Sequence, residues 1–192
     1  MSKTFIIAEA GVNHNGEIEK ALELVNVASE AGVDAVKFQT FNSKSLATSS
    51  APMAKYQREN TTLNQTQQEM LESFELSKEN YLKILDACKR KSIQFLSTAF
   101  DSGSLKFLVN DLKVGRLKIP SGEITNGPFL IEHARTGLDM IISTGMSNNK
   151  EIEEALGVVA FGYLNEREPG RESFQKAFNS EAGQRKLKEK VV

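Results

Sequence analysis

Apolar residues along the chain fall into short compact runs that alternate with longer stretches of helical spacing. Phe5-Ile6-Ile7-Ala8 is the first run, and a Gly- and Asn-rich loop from Gly11 to Gly16 follows it. From Ile18 to Ala31 the apolar positions are Ile18, Ala21, Leu22, Leu24, Val25, Val27 and Ala28, the spacing of one helix face. Gly32 stands where a helix is commonly ended. Ala35-Val36-Lys37-Phe38-Gln39 is the second strand, and alternation puts Lys37 and Gln39 on the face opposite Val36 and Phe38. A long polar segment, about 40–76, then predicts a functional loop with a short helix at 65–74. Ser77 reads as the N-cap of the next helix, with Asn80 in the capping-box position, and that helix turns Tyr81, Leu82, Ile84, Leu85 and Cys88 inward.

Three further units follow. Strands are predicted at 93–97, 116–119 and 140–143, and helices at 102–110, 128–136 and 150–163. Glu166 to Gly170 reads as a loop, 173–190 as one more helix, and Val191-Val192 as the start of a sixth strand. Alternation of this kind implies a parallel sheet with right-handed crossovers. An open doubly wound sheet is one solution. A barrel fits better, because each strand ends in polar residues able to do chemistry, and barrel active sites lie at those ends. A complete (β/α)8 TIM-type barrel takes about 250 residues. The 192 residues are therefore read as the N-terminal portion of a barrel, about its first five β/α units. Such an opened barrel exposes two parallel edge strands, which predicts self-association.

Composition narrows the classes. The apolar share, 40%, supports a sizeable core, and the net charge of −1 gives no sign of nucleic acid or membrane partners. The basic run 185–190 is broken by Leu187 and Glu189 and reads as a solvated helix end. A single cysteine, Cys88, allows no internal disulfide and reads as a buried apolar residue. Without a signal peptide or a span, the expected compartment is the cytoplasm, where the two Asn-x-Thr patterns at Asn60 and Asn64 carry no meaning.

The candidate chemistry is what stands at the strand ends. Glu9 follows the first strand, Lys37 and Gln39 lie on the second, and Thr98 follows the third. Lys118, Ser121 and Glu123 belong to the fourth, and Ser143 with Thr144 to the fifth. Two lysines and several hydroxyls suit a small multi-anionic ligand, with lysine as point charge and hydroxyls as donors. Glu9 and Glu123 are the candidate acid or base. The glycines at 11 and 16 have P-loop spacing, but Glu17 follows instead of Lys-Ser, so that motif is rejected. His14 is read either as a site residue or as a loop-stabilising hydrogen-bonding group, and His133 as a surface residue of a helix. No Cys or His pair has metal spacing, so no metal ligand is assigned.

Taken in order, residues 7–16 (IAEAGVNHNG), 36–40 (VKFQT), 96–100 (LSTAF), 118–123 (KIPSGE) and 142–146 (ISTGM) resemble the sialic acid synthase family, over about residues 4–160. The resemblance implies a carbon–carbon bond-forming transferase that condenses phosphoenolpyruvate with N-acetylmannosamine or a related 2-acetamido sugar, releasing phosphate. It implies that Lys37, Thr98, Lys118, Ser121 and Ser143 hold phosphoenolpyruvate, and that Gln39 and Asn60 face the sugar. It further implies that Glu123 handles the attacking water and that Glu9 lies close to a divalent metal, Mn or Mg. The family's two metal-binding histidines and its C-terminal antifreeze-like domain have no counterpart in these residues. The metal's ligands are thus expected mostly outside this chain, the chain alone is expected to be inactive, and the full-length enzyme is expected to be a homodimer. Ala99 stands where many members have proline. Residues 164–190 resemble an insertion found in a subset of the family. Two other readings stay open: a Schiff-base aldolase using Lys118 or Lys37, and a non-catalytic barrel module.

Overall fold

The computed structural model describes residues 4–54, 57 and 65–192. The chain forms two compact units, residues 1–108 and 109–192. In the first, β1 (Ile7–Gly11), β2 (Ala35–Thr40) and β3 (Gln94–Ala99) are parallel and adjacent in chain order. β3 runs two residues further than its apolar run suggests, so Thr98 lies on the strand, paired with Gln39. Helix α1 (Ile18–Glu30) buries Ala21, Val25 and Ala28, spaced one turn apart, as the pattern predicts. Gly32, at φ +71°, ends it.

The connection after β2 holds a short α2 (Ser43–Leu46) and α3 (Gln67–Phe74), the latter started by a capping box between Thr66 and Glu69. Gly16 in the β1–α1 loop lies against α3 so closely that a Cβ there would stand 2.3 Å from the Ser73 carbonyl oxygen. Helix α4 (Lys78–Arg90) begins at Ser77, whose hydroxyl accepts from the Asn80 amide. It buries Tyr81, Ile84 and Cys88, while Leu82, expected inside, is half exposed. Asp101 caps α5 (Ser102–Lys106). The helix expected to run through residue 110 instead widens into a π-helical segment, Phe107–Asp111.

In the second unit β4 (Arg116–Ile119) and β5 (Asp139–Ile142) are parallel. A 3-10 turn, Ser121–Glu123, follows β4, so Ser121 and Glu123 stand beyond the strand and not on it. Helix α6 (Gly127–Arg135) carries Pro128 in its first turn and is capped by Asn126. Helix α7 (Asn149–Tyr163) starts with a capping box between Asn148 and Glu151. Its glycines admit neighbours at backbone distance. A Cβ at Gly162 would stand 2.5 Å from the Ala134 Cβ, and one at Gly157 would stand 3.0 Å from the Phe174 carbonyl oxygen.

Two expectations are corrected in this unit. The stretch 173–190 is two helices, α8 (Arg171–Asn179) and α9 (Glu181–Lys190), broken at Ser180. The Ser180 backbone is extended, and its hydroxyl donates to the Ala177 carbonyl and accepts from the Gly183 amide, so one side chain serves both helix ends. His133 is fully buried, not on the surface. It shares a face with Phe129, Leu130 and Ala134, and its ring meets the Phe129 ring edge-on at 4.3 Å. After α9, Val191 bridges in parallel to Met140, as a sixth strand would. Among the described residues no helix is long and apolar enough to cross a membrane.

Candidate functional site

In the first unit the parallel register sets Glu9 directly beside Lys37. Their side chains form an ion pair, Lys37 Nζ to Glu9 Oε2 at 2.5 Å, with the lysine mostly buried and the carboxylate half exposed. The register then slips between Glu9 and Gly11. Gly11, at φ +54°, gives this bulge its left-handed backbone and leaves space above it. A Cβ at Gly11 would stand 3.2 Å from Glu9 Oε1 and 3.7 Å from Gln39 Nε2. Glu9 and Gln39 thus both reach over Gly11, where a Cβ would crowd the Glu9 carboxylate and touch the Gln39 carboxamide. Alternation on β2 holds as read: Val36 and Phe38 are buried, while Lys37 and Gln39 are partly open. Thr98, level with Gln39, is almost fully buried. Its neighbour Ser97 points the other way and shares a 2.7 Å hydrogen bond with Thr40.

His14 sits fully buried in the β1–α1 loop, against Phe38. Its Nδ1 accepts from the Gly16 amide at 3.0 Å, the loop-stabilising arrangement. Burial lowers its pKa below the usual histidine value, favouring the neutral ring that this bond requires. Asn60 lies outside the described residues.

In the second unit Lys118 Nζ donates to Ser143 Oγ at 2.6 Å and to the Ile119 carbonyl at 2.5 Å. The contact follows from register: Ile119 pairs with Ile142, and the Ser143 amide donates to the Ile119 carbonyl. Ser121, in the 3-10 turn, has its Oγ 3.5 Å from where a Cβ at Gly145 would stand. One oxygen of Glu123 accepts from the Asn126 amide group at 2.7 Å. Beyond Gly145 stands Met146, fully exposed and at φ +61°. A groove of about 820 Å³ runs among α6, α7 and α8 over Leu130, Val158, Phe174 and Phe178, and none of the strand-end residues lines it.

Glu9 with Lys37, and Lys118 with Ser143, are thus in contact; Gln39 and Thr98 are level in register, and Glu123 bonds to Asn126. Two contributors escaped sequence reading. Gly11 enters the sequence pattern through its spacing to Gly16 and within the 7–16 motif, with no role of its own. Tyr81 was read only as an inward-facing residue, although a buried tyrosine hydroxyl needs a partner, which was the available signal. Its hydroxyl donates to the Gln39 carbonyl at 2.6 Å. A divalent metal does not fit these residues alone. Among the described residues no three His, Cys, Asp or Glu side chains gather, and Glu9 already accepts from Lys37.

Parallel strands ending in lysines, hydroxyls and carboxylates define an α/β protein on the (β/α)-barrel plan, with its chemistry at the carboxyl ends of the strands. The model of the NeuB family matches residues 24–185, and the chain belongs to that family. It is 48% identical over 161 residues to an N,N'-diacetyllegionaminic acid synthase of Legionella pneumophila, covering 84% of this chain and 45% of that protein. A Campylobacter jejuni protein of the same name is 45% identical over 159 residues, covering 83% of this chain and 47% of its own length. The chain thus spans about half the length of the curated relatives it matches. Among solved structures it is similar to an N-acetylneuraminic acid synthetase of Leptospira borgpetersenii in complex with citrate. That match has a TM-score of 0.70 and 31% identity, over 84% of this chain and 52% of that one.

Proposed function

We propose that the intact protein condenses phosphoenolpyruvate with a 2-acetamido sugar and water to give a nonulosonic acid and phosphate. The observation that carries this is the Lys118–Ser143 contact of 2.6 Å at two adjacent strand ends, a lysine and a hydroxyl set side by side for an anion. In this reading Lys37, Thr98, Lys118, Ser121 and Ser143 hold phosphoenolpyruvate, and Gln39 with Asn60 faces the sugar. C3 of the enol attacks the open-chain aldehyde, whose oxygen takes a proton from solvent and becomes a hydroxyl. The cationic C2 that results takes up water, Glu123 accepts the water's proton, and phosphate leaves from the tetrahedral intermediate. Glu9 holds Lys37 in place and stands next to the expected site of a divalent ion, Mn or Mg, whose ligands lie mostly outside these residues. The names of the relatives support a nonulosonic acid product, and two of them favour a 2,4-diacetamido sugar over N-acetylmannosamine. The citrate complex shows that a structural relative accommodates a multi-anionic carboxylate. The protein is further proposed to act as a cytoplasmic homodimer.

The test is phosphate release by the intact protein from phosphoenolpyruvate with Mn²⁺ and either sugar. Release that needs both substrates and disappears in Lys118→Ala is expected. No release with any acetamido sugar would overturn the reading. Borohydride trapping of a pyruvate adduct would put the Schiff-base aldolase in its place.

A further inference from the structure

The β1–β2 ladder ends at Gly11 and Phe38, one residue short of Gln39. On the other side β2 stays paired, through Gln39–Thr98 and Thr40–Ala99. The Thr40 carbonyl accepts from the Phe100 amide and so faces β3. Successive carbonyls along a strand point to opposite sides, so that of Gln39 faces the side where β1 has stopped. A carbonyl left there, in a mostly buried strand, needs another donor. Tyr81 supplies it from α4, 42 residues further along, with a 2.6 Å bond.

The tyrosine is well fixed for this purpose. It is 4% exposed, and its ring meets Phe107 edge-on at 5.9 Å. Lys78 Nζ lies 5.2 Å from the centre of that same Phe107 ring. Burial raises the phenol's pKa to about 12, so the hydroxyl keeps its proton at neutral pH. The residue it holds is the one whose carboxamide converges with Glu9 over Gly11.

We propose that Tyr81 is a positioning residue for Gln39: its hydroxyl replaces the ladder bond lost at the end of β1 and so fixes where the Gln39 carboxamide meets the acetamido sugar. The sugar's identity rests on the synthase reading; the hold on the strand end does not.

Tyr81→Phe keeps the ring and deletes one oxygen. In the intact protein it is expected to raise KM for the acetamido sugar about tenfold, one hydrogen bond's worth, and to leave KM for phosphoenolpyruvate within about twofold. In a Gln39→Ala background the same change is expected to leave sugar KM unaltered, because the group being positioned is gone. Amide exchange at Thr40 and Phe41 is expected to accelerate while Ala35 and Val36 stay protected. An unchanged sugar KM, or an equal rise in both KM values, would overturn the proposal. If the unaltered protein consumes no acetamido sugar, the synthase reading fails on its own. Exchange then decides: unchanged protection at Thr40 and Phe41 in Tyr81→Phe defeats the proposal, and selective loss sustains it.

Discussion

Each unit places one lysine at the end of a strand, but the two lysines are held differently. Lys37 is held by a charge, the carboxylate of Glu9 on the next strand. Lys118 donates to the Ser143 hydroxyl and to the Ile119 carbonyl. An anionic ligand competes with the Glu9 carboxylate at Lys37, whereas the Ser143 hydroxyl beside Lys118 can itself donate to such a ligand. Register brings about both contacts, yet one opposes anion binding and the other assists it.

The most severe way to probe the comparison is to remove each ammonium. Lys37→Met and Lys118→Met should each lower phosphate release by at least ~10³-fold, the scale for losing a positioned charge. If one of them leaves the rate within tenfold, that lysine is structural and the comparison collapses to a single site.

A second probe concerns the histidines, one buried in each unit. Burial lowers the His133 pKa to about 4, outweighing its bond to the Phe129 carbonyl. As pH falls, the unfolded chain takes up the proton near the ordinary value of 6.5, while the folded chain resists until about 4. Stability is therefore full above the ordinary value and declines through this window. It levels off below, after a loss of up to about 3 kcal/mol. Urea melts from pH 7.5 to 4 should show the decline, and His133→Gln should flatten it. An unflattened decline would assign the effect to His14 in the other unit.

Smaller changes separate the two lysine environments by sign. Ser143→Ala should raise KM for phosphoenolpyruvate about tenfold, by deleting one donor to the ligand. Glu9→Gln should lower it about threefold, because Lys37 is relieved of its carboxylate, a half-exposed pair of modest strength. Both values come from initial rates at saturating sugar, and a shift of the same sign in both would remove the distinction. The smallest effect belongs to Met146, whose left-handed backbone costs stability and whose exposed side chain gains none in return. Met146→Gly should gain roughly 0.5–1 kcal/mol in a denaturant melt.

How much of this was legible in the sequence depends on the range of the interaction involved. The alternation of Lys37 and Gln39 against Val36 and Phe38, and the cap at Ser77, are local and were readable. The burial of His133 is also local, since Phe129 stands one turn before it on the same face; distance from the strand ends does not make a helix position exposed. The break at Ser180 was missed because no proline marks it and both halves keep helical spacing. The π-helical segment at 107–111 carries no sequence signal that we can identify. The strand-end set was readable as a list, residue by residue. Its contacts were not, because the pairing of Lys118 with Ser143 or Tyr81 with Gln39 depends on register between elements distant in the chain.

The break at Ser180 has a consequence for reach. As one continuous rod, residues 171–190 would extend about 30 Å at the helical rise per residue. A rod cannot keep Phe174 against Gly157 at one end and bring Val191 back to Met140 at the other. The reversal at a single serine lets the chain travel out and return within the width of one helix layer. Its hydroxyl caps both helix ends at the point where the chain turns back toward the sheet.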